Sequence, residues 1–152
     1  MRVVIQRVKQ ASVIVDGEII SSIGKGFCLL VGIKEGDEEK DIDYMVKKIL
    51  SIKLFENEDD KFWKENIQKH KIEILSVSQF TLYAKTTKGT KPDFHLAMKG
   101  EQSSLLYSLF LSKLRDNYQS DKIKDGKFGA MMDVSIVNDG PVTILLDTDK
   151  DS

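Results

Sequence analysis

A chain of 152 residues, 41% apolar and 31% charged, is long enough to bury a core as one domain and has the make-up of an ordinary soluble globular protein. Its net charge of −1, from 23 basic and 24 acidic side chains, argues against a surface built for extended nucleic-acid binding. No apolar run approaches the roughly 20 residues that span a bilayer. Gln6, Arg7, Lys9 and Gln10 interrupt any signal-peptide pattern, and a single cysteine, Cys28, fits a reducing compartment, so a cytoplasmic protein is expected.

The elements follow in chain order. Met1 to Val8 reads as a first strand. Ser12 to Val15 and Glu18 to Ile20 read as a hairpin around Asp16-Gly17, a pair that accepts positive φ at both turn positions. The run Gly26 to Ile33 is continuously apolar, as in a strand buried on both faces, and Cys28 within it is expected to be an inert buried thiol. Between Asp37 and Leu50 the spacing becomes helical, with Ile42, Met45, Val46 and Ile49 on one face. Glu38 and Glu39 stand at the start of that helix and Lys47 and Lys48 at its end, matching its dipole. Ile52 to Phe55 and Ile72 to Gln79 are further strand candidates, with Phe62 and Trp63 expected as core cover between them. Glu101 to Tyr118 predicts a second long helix with Leu106, Leu109, Phe110 and Leu114 buried. Two last strands are expected over Met132–Val137 and Val142–Leu146. About seven strands and two main helices predict an α+β domain, an antiparallel barrel-like sheet with the helices packed against it. Residues 1–148 form this single domain and 149–152 a polar tail.

Few residues offer familiar chemistry. His70 sits in the charged run Gln68 to Lys71, and His95 in a lysine-rich loop. Neither has a partner at triad-like spacing, and no nucleophile elbow is present. Two histidines and one cysteine match no zinc spacing, the acidic run Glu56 to Asp60 lacks the rest of a calcium loop, and no phosphate-binding glycine motif appears. No metal and no cofactor are implied. Lys85, Lys88 and Lys91, with Lys99 beyond, read either as a solvated loop or as contacts to phosphates at an RNA end. Asn138-Asp139-Gly140-Pro141 reads as a tight turn, or as backbone brought close to a ligand. Ser78-Gln79-Phe80-Thr81 closes an apolar run, where backbone N–H groups at Phe80 and Thr81 could face a carbonyl oxygen.

Two of these segments, Ser78-Gln79-Phe80-Thr81-Leu82 and Val137-Asn138-Asp139-Gly140-Pro141-Val142-Thr143, together resemble the paired signature of the D-aminoacyl-tRNA deacylases, first described as D-tyrosyl-tRNA deacylases. Met1 to Val8, with its Gln-Arg pair, Lys91-Pro92-Asp93-Phe94, and Gly126-Lys127-Phe128-Gly129-Ala130-Met131-Met132 are similar to further segments of that family in the same order. The resemblance runs from Met1 to about Asp147. It implies a β-barrel-like homodimer in which a cis Gly-Pro, here Gly140-Pro141, reaches into the partner's pocket. It implies that Ser78, Gln79, Phe80 and Thr81 form the catalytic corner, with the main chain of Thr81 mattering more than its side chain. Asn138, Gly140 and Pro141 are then substrate-binding, and Phe128 and Met132 are candidates for the adenosine side of the pocket.

The reaction so implied is hydrolysis of the ester joining a D-amino acid to the 3′ end of tRNA, with Lys85, Lys88 and Lys91 as tRNA contacts. A rigid wall opposite Cα would admit hydrogen and exclude an L side chain, so glycyl-tRNA, which has no side chain to exclude, is expected to enter as well. Two alternatives stay open. Ser78 or Thr81 could be the nucleophile of another esterase, or the Lys85–Lys99 region could serve a non-enzymatic module that binds nucleic acid, DNA included.

Overall fold

The computed structural model describes residues 1–151, and a six-stranded sheet organises them. The strands are β1 (Arg2–Val15), β2 (Glu18–Ile23), β3 (Gly26–Gly32), β4 (Glu73–Ser78), β5 (Ile123–Asp125) and β6 (Asp133–Asp147). Between them lie the helices α1 (Glu39–Ser51), α2 (Ile67–His70) and α3 (Gly100–Asn117), with a short α4 (Thr148–Asp151) at the end. The polar tail expected over 149–152 thus continues α4, and Ser152 lies outside the described residues.

β1 is the spine. On one side β6 runs antiparallel to it from Arg2↔Asp147 to Ile14↔Asp133. Its other side is shared by β3, along Arg2 to Val8, and β2, along Ala11 to Val15. The β1–β2 turn forms as expected, with Asp16 at φ 50° and Gly17 at φ 80°. The sheet curls until it is nearly barrel-shaped, within the α+β class predicted.

The prediction of an antiparallel sheet needs correction, because β3, β4 and β5 run parallel. Parallel neighbours need a crossover, and here α1 links β3 to β4 while α3 links β4 to β5. The continuous burial of β3 is the local trace of that arrangement. Ile52–Phe55 is no strand, only an isolated bridge from Phe55 to Glu65. Residues 134–137 and 142–146 belong to one long strand, not two, because β1 pairs with both halves. Phe62 and Trp63 are 60% and 55% exposed and cover no core.

The two main helices pack on one face of the sheet. On α1, Ile42, Met45, Val46 and Ile49 are buried as the spacing predicted, and Glu38 caps the helix in a reciprocal box with Asp41. On α3 the buried stripe is rotated from the one predicted, to Ser103, Tyr107, Phe110, Leu111 and Leu114, leaving Leu106 and Leu109 half-buried. Apolar spacing alone treats every leucine alike, whereas the groove over β4 and β5 takes Tyr107 for the hydrogen bonds it makes there. The opposite face carries a smaller core of Val8, Ala11, Val13, Ile23, Cys28, Leu75 and Val77. Cys28 is fully buried, and desolvation pushes its thiol up to about 11, so it stays protonated and inert. Among the described residues no helix is long and apolar enough to cross a membrane.

Candidate active site

Where β4 ends, the chain turns at Gln79 and continues as a 3-10 helix over Phe80–Tyr83. The Gln79 amide donates to the Val31 carbonyl at 2.7 Å, which extends the β3–β4 ladder by one bond before the turn. Gly32 permits this approach. A Cβ there would sit 3.0 Å from Leu82 Cβ and 3.1 Å from the Gln79 carbonyl oxygen. Arg2 anchors the far end of the turn, donating to the Leu82 carbonyl at 2.8 Å, pairing with Asp147 at 2.8 Å and lying over the Tyr83 ring.

A cavity of about 610 Å³ opens against this turn, large enough for an aminoacyl-nucleoside. Ser78, Gln79, Phe80 and Thr81 form one wall, Phe128 and Met132 another, and the first turns of α3 a third. Six of the residues singled out from the sequence therefore meet in one place. Phe80 is 56% exposed rather than core, with its ring set edge-on to Phe94 at 5.1 Å. The Gln79 carboxamide donates to the Thr81 hydroxyl. The amides of Phe80 and Thr81 are the first two donors of the 3-10 helix, and neither has an acceptor among the described residues. Two unspent N–H groups at a cavity wall suit an oxygen that gains negative charge.

The lining holds no aspartate, glutamate or histidine among the described residues, and Lys99 carries its formal charge. The histidines lie elsewhere. His95 is exposed, and both its backbone N–H, which donates to Asp93 Oδ1 at 2.7 Å, and then its Nδ1, 2.7 Å from the same oxygen, hold that carboxyl below its ordinary range. His70 pairs with Glu65 at 2.8 Å and leans on Phe55. Among the described residues no three His, Cys, Asp or Glu side chains cluster as a metal site would require. Lys85, Lys88 and Lys91 are exposed on the loop beyond the 3-10 helix, outside the cavity wall.

Residues that the sequence did not single out complete the site. Tyr107 forms part of the floor, with its hydroxyl 2.9 Å from Ser76 Oγ and donating to Asp125 Oδ1 at 2.7 Å. Burial first, then the Asp125 charge, raises the phenol well above its ordinary value, so it remains protonated. Desolvation likewise raises the Asp125 carboxyl. The Tyr107 ring packs on Phe128 at 5.6 Å and so supports the wall formed by residues 126–132. Ser103 and Tyr107 are four residues apart on one helix face, a polar pair that could have been noticed within an otherwise leucine-rich helix.

Asn138, Gly140 and Pro141 are not brought to this cavity within the chain. They form an exposed bulge in β6, where four residues, Asp139 to Val142, stand opposite Arg7 alone. Gly140 lies six residues past the cavity-lining Val134, a span of about 20 Å along a strand. The Gly140-Pro141 peptide bond is cis. The bulge is held by the buried Arg7, which donates to the Asp139 carbonyl at 3.3 Å, pairs with the Asp139 carboxylate at 3.5 Å and donates to the Leu54 carbonyl at 2.6 Å.

Comparison with known proteins places this architecture. The family model described as D-Tyr-tRNA(Tyr) deacylase matches residues 4–147. The D-aminoacyl-tRNA deacylase of Saccharomyces cerevisiae is 56% identical over 150 residues, covering 99% of this chain and all of the yeast protein. The Homo sapiens D-aminoacyl-tRNA deacylase 1 is 53% identical, covering 97% of this chain and 70% of the human one. A solved structure described as c-Myc DNA Unwinding Element Binding Protein superposes with a TM-score of 0.94 at 53% identity, covering 97% of this chain and 99% of its own. A second, a "probable eukaryotic D-amino acid tRNA deacylase", shares the fold at a TM-score of 0.82 with 17% identity, over 95% of this chain and 97% of its own. With a family model spanning nearly its whole length and relatives more than half identical, the chain belongs to the D-Tyr-tRNA(Tyr) deacylase family.

Proposed function

We propose that this protein hydrolyses the ester bond of D-aminoacyl-tRNA, and of glycyl-tRNA, in the cytoplasm and spares L-aminoacyl-tRNA. The observation that carries the reading is the pair of unspent amides at Phe80 and Thr81 beside a cavity of aminoacyl-nucleoside size. The ester carbonyl sits against these amides, which stabilise the tetrahedral oxyanion. Phe128 and Met132 take the terminal adenosine, with Phe128 backed by Tyr107. Water attacks an ester that is already activated. The lining supplies no carboxylate or imidazole base, so the 2′-hydroxyl of the terminal ribose is the natural group to share the proton. The Thr81 hydroxyl already accepts a bond from Gln79 and has no base beside it, which argues against a covalent mechanism.

Discrimination comes from a second copy of the chain. Among the described residues β6 pairs only with β1, which leaves one strand edge open, and Val137 and Leu145 are exposed on it at 44% and 59%. A homodimer through this region presents the exposed Gly140-Pro141 bulge to the partner's cavity, with its backbone as the wall opposite Cα. Asn138 flanks that wall, and Lys85, Lys88 and Lys91 meet the acceptor stem.

Purified protein assayed on matched D-tyrosyl-, L-tyrosyl- and glycyl-tRNA tests the reading. Release from the D and glycyl substrates alone supports it, equal release of D and L removes the filter, and no release overturns the activity. The name of the structural neighbour favours one second reading, DNA binding through the Lys85–Lys99 loop. That reading expects salt-sensitive duplex binding that is lost when the three lysines become glutamate.

A further inference from the structure

We infer that the N-terminus of α3 is a phosphate subsite that takes the phosphodiester joining the last two nucleotides of the tRNA acceptor end; this rests on the deacylase reading above. The 18-residue helix opens into the cavity wall through Lys99, Gly100 and Ser103. Its N-cap position is Lys99, whose side chain caps no amide, and the first-turn donors have no acceptor among the described residues. Natural helix starts are normally satisfied by Ser, Thr, Asp or Asn, and a bare one facing a cavity favours an anion. The independent observation is Ser103. The residue is only 8% exposed, lines the same cavity and has no hydrogen-bond partner among the described residues, which leaves the hydroxyl for a ligand there.

Lys99 adds the formal charge of the lining and has no ion pair among the described residues. Gly100, at φ +69° with nothing within 4 Å of a would-be Cβ, leaves space in front of the first amides. Lys99, Gly100 and Ser103 therefore converge with the Phe80–Thr81 amides on one cavity. An ester carbonyl at the latter leaves the adenosine's 5′ side free to run toward the helix. The exposed Glu101 in the first turn opposes a second phosphate there, so the subsite reads one group rather than a long backbone.

The test compares three D-tyrosyl esters: of adenosine, which has no phosphate, of the dinucleotide CA, which has one phosphodiester, and of full tRNA. Wild-type kcat/KM is expected to rise about tenfold from the adenosine to the dinucleotide ester, the size of one charge-assisted contact. Lys99→Glu and Ser103→Ala are each expected to reduce that ratio severalfold, through KM, and the lysine change to flatten the salt slope by about 0.7 for one single-stranded phosphate. Folding of both variants is checked by their melting temperatures. A ratio unchanged by either variant, or a gain that appears only with full tRNA, overturns the subsite and leaves the deacylase intact. Failure of wild-type protein on all three esters overturns the deacylase reading itself.

Discussion

The corner at Ser78–Thr81 and the bulge at Asn138–Val142 hold their backbones in unusual shapes by opposite means. The corner is set by main chain: a ladder bond from Gln79, a glycine at position 32 that lets the turn close, and a 3-10 helix whose first amides are left unspent. The bulge is held by one buried side chain, Arg7, bonded to the carbonyl and carboxylate of Asp139 within it and to the Leu54 carbonyl. The corner faces a cavity and the bulge faces outward. A backbone shape held by main-chain bonds tolerates changes of side chain, whereas one propped by a single buried side chain is exposed to the loss of that residue.

The largest expected effect lies at the corner. Phe80→Pro removes one of the two free amides at the first helical position, where the lost N–H breaks no bond within the described residues. It should lower kcat by about 10²–10³, the usual cost of one oxyanion donor. Phe80→Ala, measured alongside, keeps the amide and should lose far less, mainly in KM. Comparable losses in the two would move the function to the ring.

Arg7→Ala should come next. It leaves the Leu54 carbonyl without its donor inside the fold and frees the bulge, at a cost of about 2–3 kcal/mol, or roughly 4–12 °C in melting temperature. In a stopped assay the D-to-L ratio should collapse while the D rate persists. Retained selectivity would show that the bulge needs no prop.

Gly140→Ala is a smaller version of the same change. At φ +120° an added Cβ would lie 3.0 Å from Val142 Cγ2 and 3.2 Å from the Arg7 guanidinium. About 1–3 kcal/mol of stability should be lost, with measurable hydrolysis of L-tyrosyl-tRNA. Thr81→Ala should reduce kcat less than about threefold, since its amide remains, whereas a threonine nucleophile would predict abolition.

The smallest effect is one of pH. The Asp125 carboxyl is raised in the folded protein, chiefly by desolvation. The folded state therefore holds its proton to higher pH than the unfolded chain does, and stability falls as pH rises from the ordinary carboxyl value to the folded one. Asp125→Asn should flatten the melting-temperature profile over that window while still accepting the Tyr107 hydroxyl. A slope unchanged by the substitution would assign it to other carboxylates.

Much of this was readable in one dimension. The Asp16-Gly17 hairpin, the buried β3 run and the apolar face of α1 are local patterns, and local sterics and periodicity decide them. The motifs at 78–82 and 126–132 were visible as strings, and the cavity joins them. Less local features were misread. β4 looked like any short strand, and nothing in its six residues says that its neighbours on both sides run parallel to it. The rotation of α3 was hidden because Tyr107 is buried for its bonds to Ser76 and Asp125, partners 31 and 18 residues away.

The Asp16-Gly17 turn, the apolar face of α1 and the chemically unusual segments at 78–82 and 138–141 are legible in the sequence, because each rests on contacts within a few residues. That the 78–81 turn and the start of α3 share one cavity follows from the tertiary fold alone. It alone showed that Arg7 holds a bulge more than 130 residues away. It also put Gly140 and Pro141 outside the cavity of their own chain. Those relations depend on which strand lies beside which, and that follows from the packing of the whole chain, in which no single segment carries the deciding energy.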